Sequence, residues 1–290
     1  MDIEIGIAKS GRRAYGFDDI AIVPSRRTRD PEDVDLSWEM DAFTFGLPLL
    51  AAGMDSAVSP ATAIEISRLG GLAVLNLEGL WTKYEDPQAI YDEISSLPDD
   101  QATRRMQEMY AAPVDADLIT QRVREMKHAG IITAASLTPQ HVSRYVDAAK
   151  QGGLDILVVQ GTVVSAEHVS SRTEPLDLFA FIREVEMPVI VGGVASYAGA
   201  LHLMRTGAVG VLVGVGPGAA CTTRAVLGLG VPQATAIADA AGARTRYLEE
   251  TGRYVHVIAD GVMRTGVDMA KALSVGADAV MLGSPFAATV

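Results

Sequence analysis

The sequence has 290 residues and one cysteine, Cys221. Gly214, Gly216 and Gly218 precede it, and Thr222, Thr223 and Arg224 follow. A thiol among polar residues can act as a nucleophile. It can equally be a small packed hydrophobe after a turn, because free cysteine is among the most buried residue types. The glycines allow main-chain N–H and C=O groups to approach a ligand closely. Two more stretches could bind a sugar phosphate. In Asp260-Gly261 the carboxylate suits a ribose diol, and in Gly283-Ser284 the N–H and hydroxyl suit a phosphate. Turn chemistry explains Gly261, Gly283 and Ser284 as well, and Asp260 could cap a helix. His168 and His202 read as surface or helix residues rather than catalytic ones. Met106, Met109 and Met126 read as core.

These residues need a scaffold, and a repeated phrase supplies one. Helical segments end at a glycine and are followed by four to six apolar residues, as in Lys127-His128-Ala129-Gly130 before Ile131 and in Arg205-Thr206-Gly207-Ala208 before Val209. Non-alternating apolar strands separated by helices imply a parallel sheet covered on both faces. Eight such strands fall at 49–54, 72–77, 132–137, 156–160, 188–192, 210–215, 255–260 and 279–283. Eight units in one chain predict a (β/α)8 TIM barrel in one domain, 1–290. Residues 1–47 read as an irregular segment packed on the barrel. The connection 78–131 reads as two helices, one after Pro98 and one over 117–129. Only the six residues Pro285 to Val290 follow the strand end Leu282-Gly283-Ser284, so the reading lacks a closing helix. In such barrels the sites lie at the carboxyl ends of the strands, which brings Cys221, Asp260, Gly283 and Ser284 to one rim.

Composition sets limits. The formal net charge is −12, which excludes non-specific nucleic-acid binding through a basic surface. One cysteine allows no intrachain disulfide. The amino terminus lacks the pattern of a signal peptide, and no apolar run reaches the roughly 20 residues of a membrane span. A cytoplasmic protein with neither nucleic-acid nor membrane partners is the expectation.

The run Gly216-Pro217-Gly218-Ala219-Ala220-Cys221-Thr222-Thr223-Arg224, followed by Gly230-Val231-Pro232-Gln233, resembles the cysteine loop of IMP dehydrogenases and GMP reductases. Tyr15 to Ile20, Met54-Asp55, Gly192-Gly193, Ile258 to Gly261 and Val280 to Ser284 match the same family in order. The stretch Gln160 to His168 resembles a third bacterial branch of IMP-dehydrogenase-related proteins without the regulatory insert. The resemblance implies oxidation of IMP to XMP with NAD through a covalent Cys221 adduct. The alternatives are a GMP reductase using NADPH and a non-catalytic nucleotide-binding paralogue; a flavin-dependent barrel leaves the cysteine loop unexplained. By the same resemblance Thr223 is catalytic, and Met54, Asp260, Gly261, Gly283 and Ser284 bind substrate. Gln160, Gly192, Gly193 and Gly214 face the cofactor. Carbonyls of Gly216, Gly218 and Cys221 hold a monovalent cation, normally K+, in a homotetramer.

The sequence also departs from the family pattern. Ala219 and Ala52 stand in place of serines, Val262 in place of the second glycine of an Asp-Gly-Gly turn, and Gln160 in place of an aspartate. Gly193 and Leu212 replace polar residues on the cofactor side. The water-activating flap that follows strand eight in the family has no counterpart in the sequence.

Overall fold

The computed structural model describes residues 2–167, 175–219 and 221–288. Two antiparallel hairpins come first: β1 (Asp2–Gly6) with β2 (Lys9–Arg12), and β3 (Trp38–Met40) with β4 (Phe43–Phe45). Eight parallel strands then close into a barrel in sequence order: β5 (Leu49–Ala51), β6 (Leu72–Asn76), β7 (Ala134–Leu137), β8 (Ile156–Gln160), β9 (Val189–Val194), β10 (Gly210–Val213), β11 (His256–Asp260) and β12 (Ala279–Leu282). Closure runs through β12 and β5, with Val280 opposite Leu49 and Leu282 opposite Ala51. All eight lie where the apolar runs predicted them.

The apolar runs are explained by burial on both faces. Leu50, Leu72, Val74, Ile156, Ile190, Leu212, Ile258 and Met281 point into the barrel and form one buried cluster. Their neighbours Ala51, Ala73, Leu75, Leu157, Val191, Val211, Val257 and Val280 belong to a second cluster under the helices. Each strand thus alternates between two apolar compartments, the pattern of a side-chain-filled barrel.

The covering helices are α1 (Pro60–Arg68), α2 (Pro87–Ser96), α3 (Asp99–Tyr110), α4 (Ala116–His128), α5 (Val142–Gly152), α6 (Leu178–Val185), α7 (Tyr197–Arg205), α8 (Thr223–Leu227), α9 (Gln233–Thr251), α10 (Gly266–Ser274) and the short α11 (Ser284–Ala287). Capping residues start several of them. The Ser59 hydroxyl accepts the Thr62 N–H ahead of Pro60, and the Ser196 hydroxyl accepts that of Gly199. Among the described residues, no helix is long and apolar enough to cross a membrane.

Three expectations need correction. The segment 1–47 is not irregular throughout. It holds both hairpins, and Trp38, Met40 and Phe45 of the second join the cluster inside the barrel, plugging one end. Its strands are only three residues long, too short for alternation to register, and Asp41 takes the left-handed turn conformation (φ 55°) that aspartate tolerates. The connection 78–131 carries three α-helices rather than two, since α2 begins at Pro87 after the cap Asp86. Met106 is not core. It is 43% exposed on the mostly charged α3, whereas Met109 and Met126 are buried. His202 is exposed on α7, and His168 lies outside the described residues.

Opposite the strand carboxyl ends, Asp278 ties the barrel floor together. Its carboxylate accepts the Arg244 guanidinium at 2.6 Å, the Tyr254 hydroxyl at 2.6 Å and the Val257 N–H at 2.7 Å. Both charged side chains are mostly buried, so removing one leaves the other's charge without its partner. Arg244→Ala is expected to lower unfolding stability by about 2–3 kcal/mol. The cost stays below that of a fully buried pair because Tyr254 and Val257 still bond Asp278. Urea denaturation checks this.

Candidate active site

A cavity of about 870 Å³ opens at the carboxyl ends of the barrel strands. Ligand cavities span about 300–1,000 Å³, so this one has room for a mononucleotide and a second planar group. It brings together most residues singled out from the sequence. Met54 after β5, Gln160 at the end of β8, Cys221 after β10 and Asp260 at the end of β11 all line it. So do Gly261, Gly283, Ser284 and the loop glycines 214, 216 and 218. Gly192 and Gly193 are buried and do not line it. A Cβ on Gly192 would fall 2.4 Å from Cβ of Leu212, and one on Gly193 would fall 2.3 Å from the Gly214 carbonyl oxygen. Close packing in the sheet accounts for these two glycines.

The cysteine loop runs from Val215 to Val231 and is held from inside by Arg224. That guanidinium donates to the Val215 carbonyl at 3.2 Å and to the Val231 carbonyl at 2.7 Å, joining both ends. Gln233, the first residue of α9, is buried and donates to the carbonyls of Val213 at 2.6 Å and Asp260 at 3.3 Å. It therefore locks the carboxyl ends of β10 and β11 together beneath the loop. Close approach explains the glycines there: a Cβ on Gly214 would lie 2.2 Å from the Asp260 carbonyl oxygen. Arg224 and Gln233 stand in the loop run that carries the family resemblance, but the sequence does not show their role, because their partners are main-chain carbonyls.

Held in this way, Cys221 is exposed, not packed. Its thiol lies 3.2 Å from the Thr223 hydroxyl. The geometry removes the packed-hydrophobe alternative for this residue. Asp260 sits in the cavity with one carboxylate oxygen 3.4 Å from the Gln160 amide nitrogen. Burial pushes its carboxyl up to about 6. An aspartate at position 160 would set a second carboxylate against Asp260, whereas the glutamine amide donates to it.

Val262 has a backbone φ of 73°, in the left-handed region. For a β-branched residue this is an outlier, and such residues store about 1–3 kcal/mol of strain. Its side chain lines the cavity and packs against the outer apolar cluster. Sequence reasoning missed Thr162 and Arg264, which also line the cavity. Arg264 lies 3.9 Å from carboxylates of both Asp18 and Asp268 and is mostly exposed.

Of the Gly216, Gly218 and Cys221 carbonyls expected to hold a monovalent cation, one has a partner inside the loop. The Gly218 carbonyl accepts the Cys221 N–H at 3.1 Å. Among the described residues, no group of three or more His, Cys, Asp or Glu side chains could hold a metal.

Val262→Gly should relieve the left-handed strain but also lose the side chain's contact with the outer apolar cluster, so it should cost less than about 1 kcal/mol, well below the loss expected for a partly buried valine without strain. A drop in the urea midpoint equivalent to about 2 kcal/mol or more would contradict the strain argument.

The sequence model of the IMP dehydrogenase / GMP reductase domain matches residues 14–290. An uncharacterized oxidoreductase of Mycolicibacterium smegmatis is 48% identical over 98% of this chain and 78% of its own length. An inosine-5'-monophosphate dehydrogenase of Methanocaldococcus jannaschii is 28% identical over 96% of this chain and 72% of its own. The crystal structure of an IMP dehydrogenase/GMP reductase-like protein from Corynebacterium glutamicum superimposes with a TM-score of 0.92 at 45% identity. That match covers 99% of this chain and 76% of that one. With its barrel, its exposed thiol and these matches taken together, the chain belongs to the IMP dehydrogenase/GMP reductase family.

Proposed function

We propose that this oxidoreductase-family protein converts IMP to XMP with NAD+ through a covalent adduct on Cys221. The observation that carries the reading is the convergence of an exposed thiol and a cavity-facing carboxylate on one barrel rim. The Asp260 carboxylate accepts the ribose hydroxyls. The Gly283 N–H and Ser284 hydroxyl receive the phosphate, and Arg264 supplies positive charge at the rim where Ala219 offers no hydroxyl. Met54 packs on the purine.

The Cys221 sulfur, as thiolate, forms a bond to C2 of the hypoxanthine, and the C2 hydrogen leaves with its electron pair. NAD+, when bound, supplies the acceptor for that hydride, and Gln160, Thr162 and Gly214 line the part of the cavity that would hold it. Water then adds at C2, passing one proton to N3 and one to solvent, the C–S bond breaks with its electron pair returning to sulfur, and XMP leaves. Splitting the oxidation from the hydrolysis replaces one difficult step by two easier ones. The assembly that accompanies this reading is a homotetramer, with cation ligands shared between subunits.

Assays with IMP plus NAD+ and with GMP plus NADPH test the reaction. NADH formation with the first pair, abolished by Cys221→Ala, is expected; consumption of NADPH with the second pair alone would establish the reductase instead. IMP binding without any turnover would leave a nucleotide-binding paralogue.

Asp260 sets opposite pH trends for binding and stability. Its folded carboxyl titrates near 6 and its unfolded one near 3.8. The stabilising contribution of the proton is full below 3.8 and is lost as pH rises through 6. Ribose binding needs the carboxylate, so IMP affinity should fall about tenfold per pH unit below 6. Calorimetry across pH 4.5–7.5 measures this in the approximate window where the group titrates. Asp260→Asn should weaken binding and flatten the profile, and an unchanged slope in that variant would refute the assignment.

A further inference from the structure

Asp55 follows Met54 in the turn after β5, yet its carboxylate takes no part in the cavity lining. The helical connection holds it instead. The Tyr110 hydroxyl, at the end of α3, donates to Oδ2 at 2.5 Å, and the Leu80 N–H donates to the same oxygen at 2.9 Å. From α2, the Tyr91 hydroxyl donates to the Asp55 main-chain carbonyl at 3.3 Å. The second carboxylate oxygen, Oδ1, is buried without a partner among the described residues. It occupies room that exists only because residue 79 is glycine, where a Cβ would come within 1.9 Å of it. Burial raises the Asp55 carboxyl and both tyrosine hydroxyls; at Asp55 the hydrogen bonds from Tyr110 and Leu80, and then Lys83, partly oppose the rise.

The turn that contains Asp55 also sets Met54. The N–H groups of Ala57 and Val58 both donate to the Met54 carbonyl at 2.9 Å. On the cavity side the Met54 sulfur lies over Gly283, so close that a Cβ there would approach it to 2.5 Å. The end of α3 is fastened in turn to the loop before α2, and α4 holds the same loop. The Lys83 ammonium donates to the Ala112 carbonyl at 2.6 Å, the Tyr84 hydroxyl donates to that of Met109 at 3.1 Å, and the buried Arg122 bonds the carbonyls of Trp81 and Glu85. A rigid chain of contacts leads from α3 to the methionine at the cavity floor.

We propose that Tyr110 and Asp55 are positioning residues, by which the α2–α3 pair holds the 54–58 turn and sets Met54 against the nucleotide base. The base-packing role of Met54 rests on the IMP reading above; the hold on the turn does not. In that arrangement the helical pair is a fixed brace for the substrate floor. Its reach is local, since the contact is one hydroxyl and one carboxylate.

The test uses the full chain with Tyr110→Phe, which keeps the ring and deletes the hydroxyl, and with Asp55→Asn, which keeps an acceptor oxygen. Hydrogen exchange by mass spectrometry, without ligand, reads the peptide covering 53–58. Tyr110→Phe should speed exchange there by about tenfold while α4 and α5 remain protected, and Asp55→Asn should retain most of the protection. IMP affinity, by calorimetry, should fall roughly five- to tenfold in Tyr110→Phe. Adding Tyr110→Phe to Asp55→Ala should cost nothing further if the two act through one bond. Unchanged exchange at 53–58, or acceleration spread evenly over the barrel, would overturn the brace. Faster exchange at 53–58 with unchanged IMP affinity would overturn its role at the base. Should the unaltered protein bind no IMP, the nucleotide reading fails, and the exchange result still decides whether the helical pair holds the turn.

Discussion

The site depends on the close approach of two strand ends. β10 and β11 leave the barrel side by side, and Gln233 bonds a carbonyl from each. Only glycine at 214 lets the chain pass the Asp260 carbonyl. That junction places the cysteine loop and the Asp260 carboxylate on the same side of one cavity. The loop then needs a second fastening, which Arg224 supplies by joining its two ends. A side chain at 214, or loss of both fastenings, would separate the thiol from the carboxylate without touching either. Electrostatics follows from the same crowding: Asp260 is held high because the barrel wall removes its water, and Gln160 is the neighbour that can donate to it.

The barrel was legible because its strands are buried twice over. Leu212 faces the interior while Val211 and Val213 face the helices, so the run stays apolar without alternating. Glycine stops and capping pairs such as Ser59-Pro60 marked the intervening helices. The β3–β4 plug was not legible, since three-residue strands carry too little pattern and Trp38 and Phe45, which pair with each other, pack against side chains inside a barrel whose closure is long-range. In 78–131 the start of α2 was present as Asp86-Pro87, a cap followed by proline, and went unread among longer charged segments.

At the site, residues that act through their own type were legible: the lone thiol, the aspartate and the glycines. Residues that act through main-chain partners were not. Gln233 is marked by the loop resemblance but not by any sign of what it binds, and nothing local distinguishes Tyr110 from ordinary helix residues; each gains its role only when a distant strand end or turn is brought against it. Val262 shows the reverse case. Its departure from an Asp-Gly-Gly turn was visible in sequence, and the left-handed backbone gives the physical reason a glycine suits that place. The crowding it brings is local, because the side chain also packs away from the cavity onto the outer apolar cluster.

The central claim is that Cys221 is a nucleophile aimed at a purine. The most direct test is intact-protein and peptide mass spectrometry after incubation with IMP and NAD+ and rapid acid quench. A purine-nucleotide adduct confined to the peptide containing Cys221, requiring both compounds and absent from Cys221→Ala, is the predicted result. No adduct under conditions in which NADH is formed, or an adduct that persists in Cys221→Ala, would contradict the account.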